Sequence, residues 1–393
     1  MLNRHESGKV ALLYHANLNH FSLSPSSRDL LARQYISDMV EHVKVPIAVS
    51  LPAEDLLYLY LHYPETYTDL ISNPHITFLL STYAHTVAAH DFGAYSEQAK
   101  LGKAIINSFL PEEKIIQVGY PSEVDVPKPE DRQLLRSIWN AILLGDTRVL
   151  PKQKTDHFIW NIDTSSVFPV ILSRRENVYR SFFHKFFRNE ASSLDVVGAL
   201  EQDAALWSNT IGYLARIDFE APLFNEVVYA NGSSTGPRID LWQRLNAEFA
   251  MNSELFITMH DLLQKMEDRV LDAKEVSHDP IEDSKWQFRK HSDRIQELGK
   301  DGFANVMDRY VWLSTHHSDY FCSEFDDWKF KTSDGGVITI VKKQVYREPE
   351  LLAKLDLLQG LTYSGDAREV ESYISKMRAV YRFLAERQNE FIA

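Results

Sequence analysis

The sequence predicts an α/β barrel that leads into a helical domain. Three observations carry this expectation. From the start to about residue 222, short apolar runs rich in β-branched residues alternate with longer helix-periodic stretches, as in strands buried by crossover helices. After Pro222 the runs give way to long helix-periodic segments. Polar groups collect where the apolar runs end, which is the reactive face of a parallel barrel.

The predicted strands are Lys9 to His15, Val45 to Leu51, Ile76 to Thr82, Lys114 to Tyr120, Asn140 to Gly145, Phe158 to Ile162, Phe168 to Leu172 and Gly212 to Phe219. Helices are expected between them, among them Ser26 to His42, opened by serine caps after Pro25, and Ser96 to Phe109. In the second part Pro237 to Met266, Lys285 to Leu313, Pro349 to Leu361 and Asp366 to Phe391 read as helices. Gly336 to Lys343 reads as one arm of a hairpin turning at Asp334, Gly335 and Gly336. The expected division is residues 1–236 for the barrel and 237–393 for the helical domain, joined through the loop Asn231 to Pro237.

The composition narrows the function classes. A chain of 393 residues, 44% hydrophobic, has apolar material for a large core. Its 42 basic against 55 acidic residues give a net charge of -13, which repels phosphate backbones and anionic lipid. The densest basic stretch, Arg174 to Arg188, is interrupted by Glu176 and four phenylalanines and reads as an amphipathic helix. Neither nucleic acid nor a membrane is therefore an expected partner. Cys322 stands alone, so no intramolecular disulfide and no cysteine-rich metal site is possible. The apolar run Val10 to Tyr14 is too short for a signal-peptide core or a membrane span, which makes a cytoplasmic location the expectation.

The candidate site residues follow from the strand ends. The first strand runs into His15, Asn17 and Asn19, which share one face at period two. Such a ring suits a sugar, and equally a loop of turn-forming asparagines. The third strand ends near Tyr83 and His85, whose rings can stack on a sugar while their polar tips bond its hydroxyls. The fourth runs through Tyr120 and Pro121 into Glu123, where proline ends the pairing and fixes the backbone beside a carboxylate. The last carries Asp218 and Glu220 inside an apolar segment. Burying unpartnered carboxylates costs several kcal/mol in order of magnitude, so such a pair has a purpose. Farther on, Ser314 to Phe321 holds His316, His317 and Asp319. Adjacent histidines on a helix diverge by about 100°, so sugar contact or helix capping fits them better than a joint metal site.

In this order the segments resemble glycoside hydrolase family 57, the α-amylase and 4-α-glucanotransferase family, along nearly the whole chain. His15 falls on the first histidine of the family's opening His-x-His-Gln-Pro element, with Asn17, Leu18 and Asn19 replacing the rest. Leu80 to Val87, followed by Gln98, resembles its tyrosine-and-histidine segment, and Thr77 stands where many members carry glutamate. Gly119 to Glu123 is similar to the aromatic-Pro-x-Glu element of the nucleophile. Asp218 to Glu220 resembles the Asp-x-Glu element of the general acid/base. Thr315 to Phe321 resembles the segment that the family's helical domain lends to the site, with Asp319 the residue carried across.

The resemblance implies an irregular (β/α)7 barrel capped by helices, and a retaining mechanism without cofactor or metal on an oligosaccharide or polysaccharide of α-linked glucose. Glu123 would attack the anomeric carbon and Asp218 would protonate the leaving oxygen, at a carboxyl separation of roughly 5 to 5.5 Å. Apolar flanks and the Glu123 charge favour a protonated Asp218. His15, Asn17, Tyr83, His85, Tyr120, Glu220, His317 and Asp319 would contact substrate. Tyr120, ahead of Tyr83, Phe219 and Trp160, is the expected stacking surface. Two other readings stay open: a family member that binds glycan without turnover, and a metal-dependent polysaccharide deacetylase using His15, His85 and Asp218.

Overall fold

A computed structural model describes residues 9–18, 29–83, 92–121, 129–145, 159–161, 169–173, 178–187, 189–206, 213–219, 240–267, 271–272, 327–331 and 337–341, and the isolated positions 353, 368, 372, 375 and 376. Its strands are β1 Val10–His15, β2 Ile47–Ser50, β3 Ile76–Ser81, β4 Ile115–Tyr120, β5 Ala141–Gly145, β6 Ile159–Asn161, β7 Pro169–Ser173, β8 Tyr213–Asp218 and β9 Leu271–Asp272. Each of the eight predicted runs up to residue 222 forms one, within two residues at either end. In β1, β2, β3 and β8 the described apolar residues are buried on both faces, as crossover helices require.

Seven of these strands run parallel in the order β8-β1-β2-β3-β4-β5-β7. The sheet curls until β7 lies beside β8, giving the expected (β/α) barrel. β6 departs from the parallel pattern. It pairs antiparallel with β7 and parallel with β9. The link from Asn161 to Pro169 is shorter than the dozen or so residues a parallel crossover needs, so β6 can only double back on its successor.

The helices are α1 Ser37–His42, entered through a π-helical turn Leu31–Ile36, α2 Ala53–His62, α3 Pro64–Ser72, α4 Phe92–Phe109, α5 Pro129–Ile138, α6 Val178–Phe187, α7 Ser193–Leu206, α8 Leu241–Met251 and α9 Met259–Glu267. α4 begins four residues before the predicted Ser96, which is buried inside it. α6 is the amphipathic helix read from the basic stretch, with Tyr179, Phe183 and Phe186 buried. Asp203 of α7 accepts the Val178 and Tyr179 N–H groups at 3.1 and 2.8 Å, which satisfies two donors at the start of α6. Ser192 and Asp195 close a reciprocal capping box at α7. At α9 the Thr258 hydroxyl accepts the Asp261 N–H at 2.9 Å and donates to the Asp261 carboxylate at 2.7 Å.

The single helix expected over Pro237 to Met266 is instead two. Asn252 ends α8, a 3-10 turn Ser253–Leu255 follows, and Phe256 bridges to Val10 of β1. The Ile257 N–H donates to Val10 O at 2.9 Å, so pairing with the barrel interrupts the helix. Trp242 of α8 stacks on Phe219 at 4.6 Å and 13°, with Tyr14 at 5.1 Å and Phe183 and Phe187 of α6 near 5.9 and 5.8 Å. This aromatic wedge holds α6 and α8 on the outside of the β1–β8 seam. The predicted hairpin is present as β10 Asp327–Lys331 and β11 Val337–Val341. The helices expected over Lys285 to Leu313, Pro349 to Leu361 and Asp366 to Phe391 lie essentially outside the described residues.

Candidate active site

Period-two alternation and parallel register sort the strand residues by face. On β1, Val10, Leu12 and Tyr14 face the helices, leaving Ala11, Leu13 and His15 toward the lumen. His15 is the register partner of Ser50 on β2 and Asp218 on β8, and Ser81 on β3 is the partner of Tyr120 on β4. His15, Ser50, Asp218, Ser81 and Tyr120 thus end their strands at one mouth.

The His15 imidazole stacks on the Tyr120 ring, centroids 4.5 Å apart and 24° between planes. The Arg216 guanidinium of β8 lies 5.9 Å from the same ring centroid. In a flat sheet β8 and β4, four strand spacings apart, would be separated by about 19 Å. Only the curl brings their side chains together. β1, β4 and β8 therefore converge at the mouth, and two of these are the strands whose ends carry Asp218 and run on toward Glu123.

Two of the expected stacking surfaces have other roles in this geometry. Tyr120 is 2% exposed with an imidazole already against its face, so it shapes the wall of the site rather than offering an open platform. Phe219 belongs to the outer wedge with Trp242, because it follows Asp218 by one residue and alternation turns it to the other side. The side chain of Trp160 lies outside the described residues.

Asn17 is fully buried just beyond β1. Tyr83 is buried, its N–H donating to Gln98 O of α4 at 2.8 Å and its carbonyl accepting the Glu54 N–H at 3.0 Å. α4 reaches this point because Gly102 has no side chain: a Cβ there would lie 2.2 Å from Ser81 O. The Thr77 hydroxyl donates to Ile47 O of the neighbouring strand at 3.3 Å. Asp218 is placed by its backbone, as the last residue of β8. Glu123, His85, Glu220, His317 and Asp319 lie outside the described residues. Among the described residues, no three His, Cys, Asp or Glu side chains group as metal ligands.

Sequence reasoning passed over three polar groups. Arg216 sits two residues before Asp218 in an apolar strand, a spacing that puts both on one face and could have marked it. Glu54 and Asp55, at the start of α2, are both buried. In the sequence they look like ordinary acidic residues of a first helical turn.

No protein-family model matches the sequence, and no curated protein matches it. Solved structures do. The chain is similar to a 4-α-glucanotransferase from Thermococcus litoralis, with a TM-score of 0.52 and 12% identity over 77% of this chain and 48% of that one. The likeness is one of fold. A branching enzyme of the family 57 type from the archaeon Pyrococcus horikoshii aligns with a TM-score of 0.47 and 9% identity over 97% of this chain and 88% of that one. A polysaccharide deacetylase from Mycobacterium smegmatis gives 0.46 and 8%, over 70% and 96%. The chain thus spans about half the length of the glucanotransferase it resembles. No described helix is long and apolar enough to cross a membrane.

Proposed function

We propose that this chain is a retaining glycoside hydrolase or transglycosylase acting on α-glucans or related α-glycosides, with Glu123 as nucleophile and Asp218 as general acid/base. The observation that supports this most directly is the meeting of β4 and β8 at His15: Tyr120 stacks on it and Asp218 is its register partner. Glu123 follows Tyr120 by three residues, a reach of up to about 10 Å. That reach is compatible with the roughly 5 to 5.5 Å between carboxyl groups that retention requires.

In this reading the Glu123 carboxylate attacks the anomeric carbon as Asp218 gives its proton to the departing oxygen. Asp218, now ionised, then takes a proton from water or from an acceptor sugar hydroxyl, which releases the sugar from Glu123. Arg216 keeps its charge at all working pH values and suits an ionised nucleophile nearby. His15 and Asn17 line the wall, and His85, Glu220, His317 and Asp319 complete the sugar contacts.

The test is turnover of maltooligosaccharides and a nitrophenyl α-glucoside, compared with Glu123→Gln and Asp218→Asn, plus mass analysis after incubation with 5-fluoroglucosyl fluoride. Turnover that both substitutions remove, and a glycosyl adduct on the Glu123 peptide, are expected. No turnover above Glu123→Gln across several α-glycosides would sink the enzyme reading. Glycan binding without turnover would support the second reading, a binding protein, which is favoured by Thr77 spending its hydroxyl on a strand carbonyl where many of the resembled family carry glutamate.

A further inference from the structure

The amino end of α2 ties three strand ends together. Its main chain reaches toward β3: the Ala53 N–H donates to Thr82 O at 3.1 Å and the Glu54 N–H to Tyr83 O at 3.0 Å. These are donors that a helix leaves without intrahelical acceptors, and no side chain caps this helix. The chain leaving β3 does so instead. The next residue reaches the other way. Asp55 Oδ2 accepts the Leu18 N–H at 2.8 Å, across 37 positions of sequence.

Both Asp55 and Leu18 are 0% exposed. A carboxylate without exposure is costly unless hydrogen-bonded, and a buried main-chain N–H carries a penalty of its own when unmade. Each group therefore fixes the other. Asp55 sits in the first turn of α2, where the helix dipole favours a negative charge. Leu18 is the residue after Asn17 and three beyond His15, where the chain leaves the barrel mouth. Ala16 N–H donates to Ser50 O at 3.1 Å, but that bond continues the β1–β2 ladder and stops two residues short.

From this we infer that Asp55 is a positioning residue for the segment after β1. It holds the Leu18 main chain, and with it Asn17, in fixed relation to the segment after β3 that carries Tyr83. Asp55 acts through the backbone of that segment and touches neither substrate nor reacting atoms. The bond itself is independent of any activity, whereas its consequence for glycan binding rests on the function proposed above. Because the segment carries binding groups rather than the two acids, loosening it weakens substrate binding more than the chemical step.

Amide hydrogen exchange on the full chain tests the inference. In the wild type, the Leu18 amide exchanges within roughly tenfold of the Ala53 and Glu54 amides, because one opening exposes all three. In Asp55→Ala, Leu18 exchange accelerates by roughly 10- to 100-fold, the size of one lost charge-assisted hydrogen bond, while Val118 in β4 is unchanged. Asp55→Asn keeps an acceptor oxygen in place and restores most of the protection.

Leu18 exchanging far faster than Ala53 in the wild type would overturn the inference, as would Asn and Ala variants that behave alike. The wild-type and Asn measurements decide it even where the Ala variant does not fold. In turnover of maltoheptaose, Asp55→Ala raises KM roughly tenfold and leaves kcat within about twofold. A wild type with the expected exchange pattern and no turnover would remove the proposed function and leave the positioning role standing. An active wild type whose KM is untouched in Asp55→Ala would remove the link between the two.

Discussion

Replacing Gly119 with alanine probes how the end of β4 is held. Gly119 lies one residue before Tyr120, and a Cβ built on it would sit 2.0 Å from two ring atoms of Trp139. Carbon atoms rest at about 3.5 to 4.0 Å, so the ring or the strand must yield by roughly 1.5 Å. The ring has little room: Trp139 is fully buried and meets Tyr95 edge-on at 6.2 Å. Overpacking a filled core costs about 1–3 kcal/mol and at times more, and a clash against a rigid indole belongs at the upper end. Gly119→Ala is therefore expected to lose about 3 kcal/mol in urea unfolding, with m unchanged. Trimming the partner isolates the cause: Gly119→Ala combined with Trp139→Leu should destabilise by less than the sum of the two single variants, by about 1 kcal/mol or more. A neutral Gly119→Ala, or strict additivity, would mean that Trp139 does not hold the end of β4 in this way. Because Tyr120 follows directly, the His15 stack and any turnover should fall with the same substitution.

Two further substitutions read other parts of the fold. Asn246 in α8 is fully buried, and neither polar atom of its side chain has a hydrogen-bond partner among the described residues. Asn246→Leu, close in size, should raise stability by about 1–2 kcal/mol in the same assay, and a loss would mean that the amide is satisfied after all. Asp195 is held below the usual carboxylate range by the backbone N–H and then the hydroxyl of Ser192. Its folded value is depressed, so its contribution is present above the unfolded value near 3.8 and disappears as pH falls through the folded one. The stability difference between wild type and Asp195→Asn, followed by urea melts from pH 6 downward, should shrink below that point, and a difference that grows with acidity would contradict the capping box.

Much of the site was visible at the level of strand ends. His15 and Tyr120 terminate their strands where the apolar runs stop, because a buried parallel strand tolerates polar side chains only where the sheet opens to solvent. Phe219 was open to the same logic, since one step beyond Asp218 on a strand is a step to the other face. Arg216 and Asp55 were harder to see. Arg216 meets a ring four strands away, and Asp55 meets an amide 37 residues earlier, so neither pairing leaves a local trace.

The sequence by itself placed the strands up to residue 222 and the helices over α1, α4 and α6, and showed that most of the early strands are joined by crossovers long enough to run parallel. Hydrophobic periodicity, cap residues and link length are local quantities, and they sufficed. The tertiary structure was needed to show that Tyr120 is buried against the His15 imidazole, that Phe219 joins a wedge with Trp242, that the helix after Pro237 breaks to pair with Val10, and that Asp55 of α2 bonds the Leu18 amide beyond β1. Each of these depends on which surfaces meet across the curled sheet, and that curl is a property of the assembled strands that no single segment encodes.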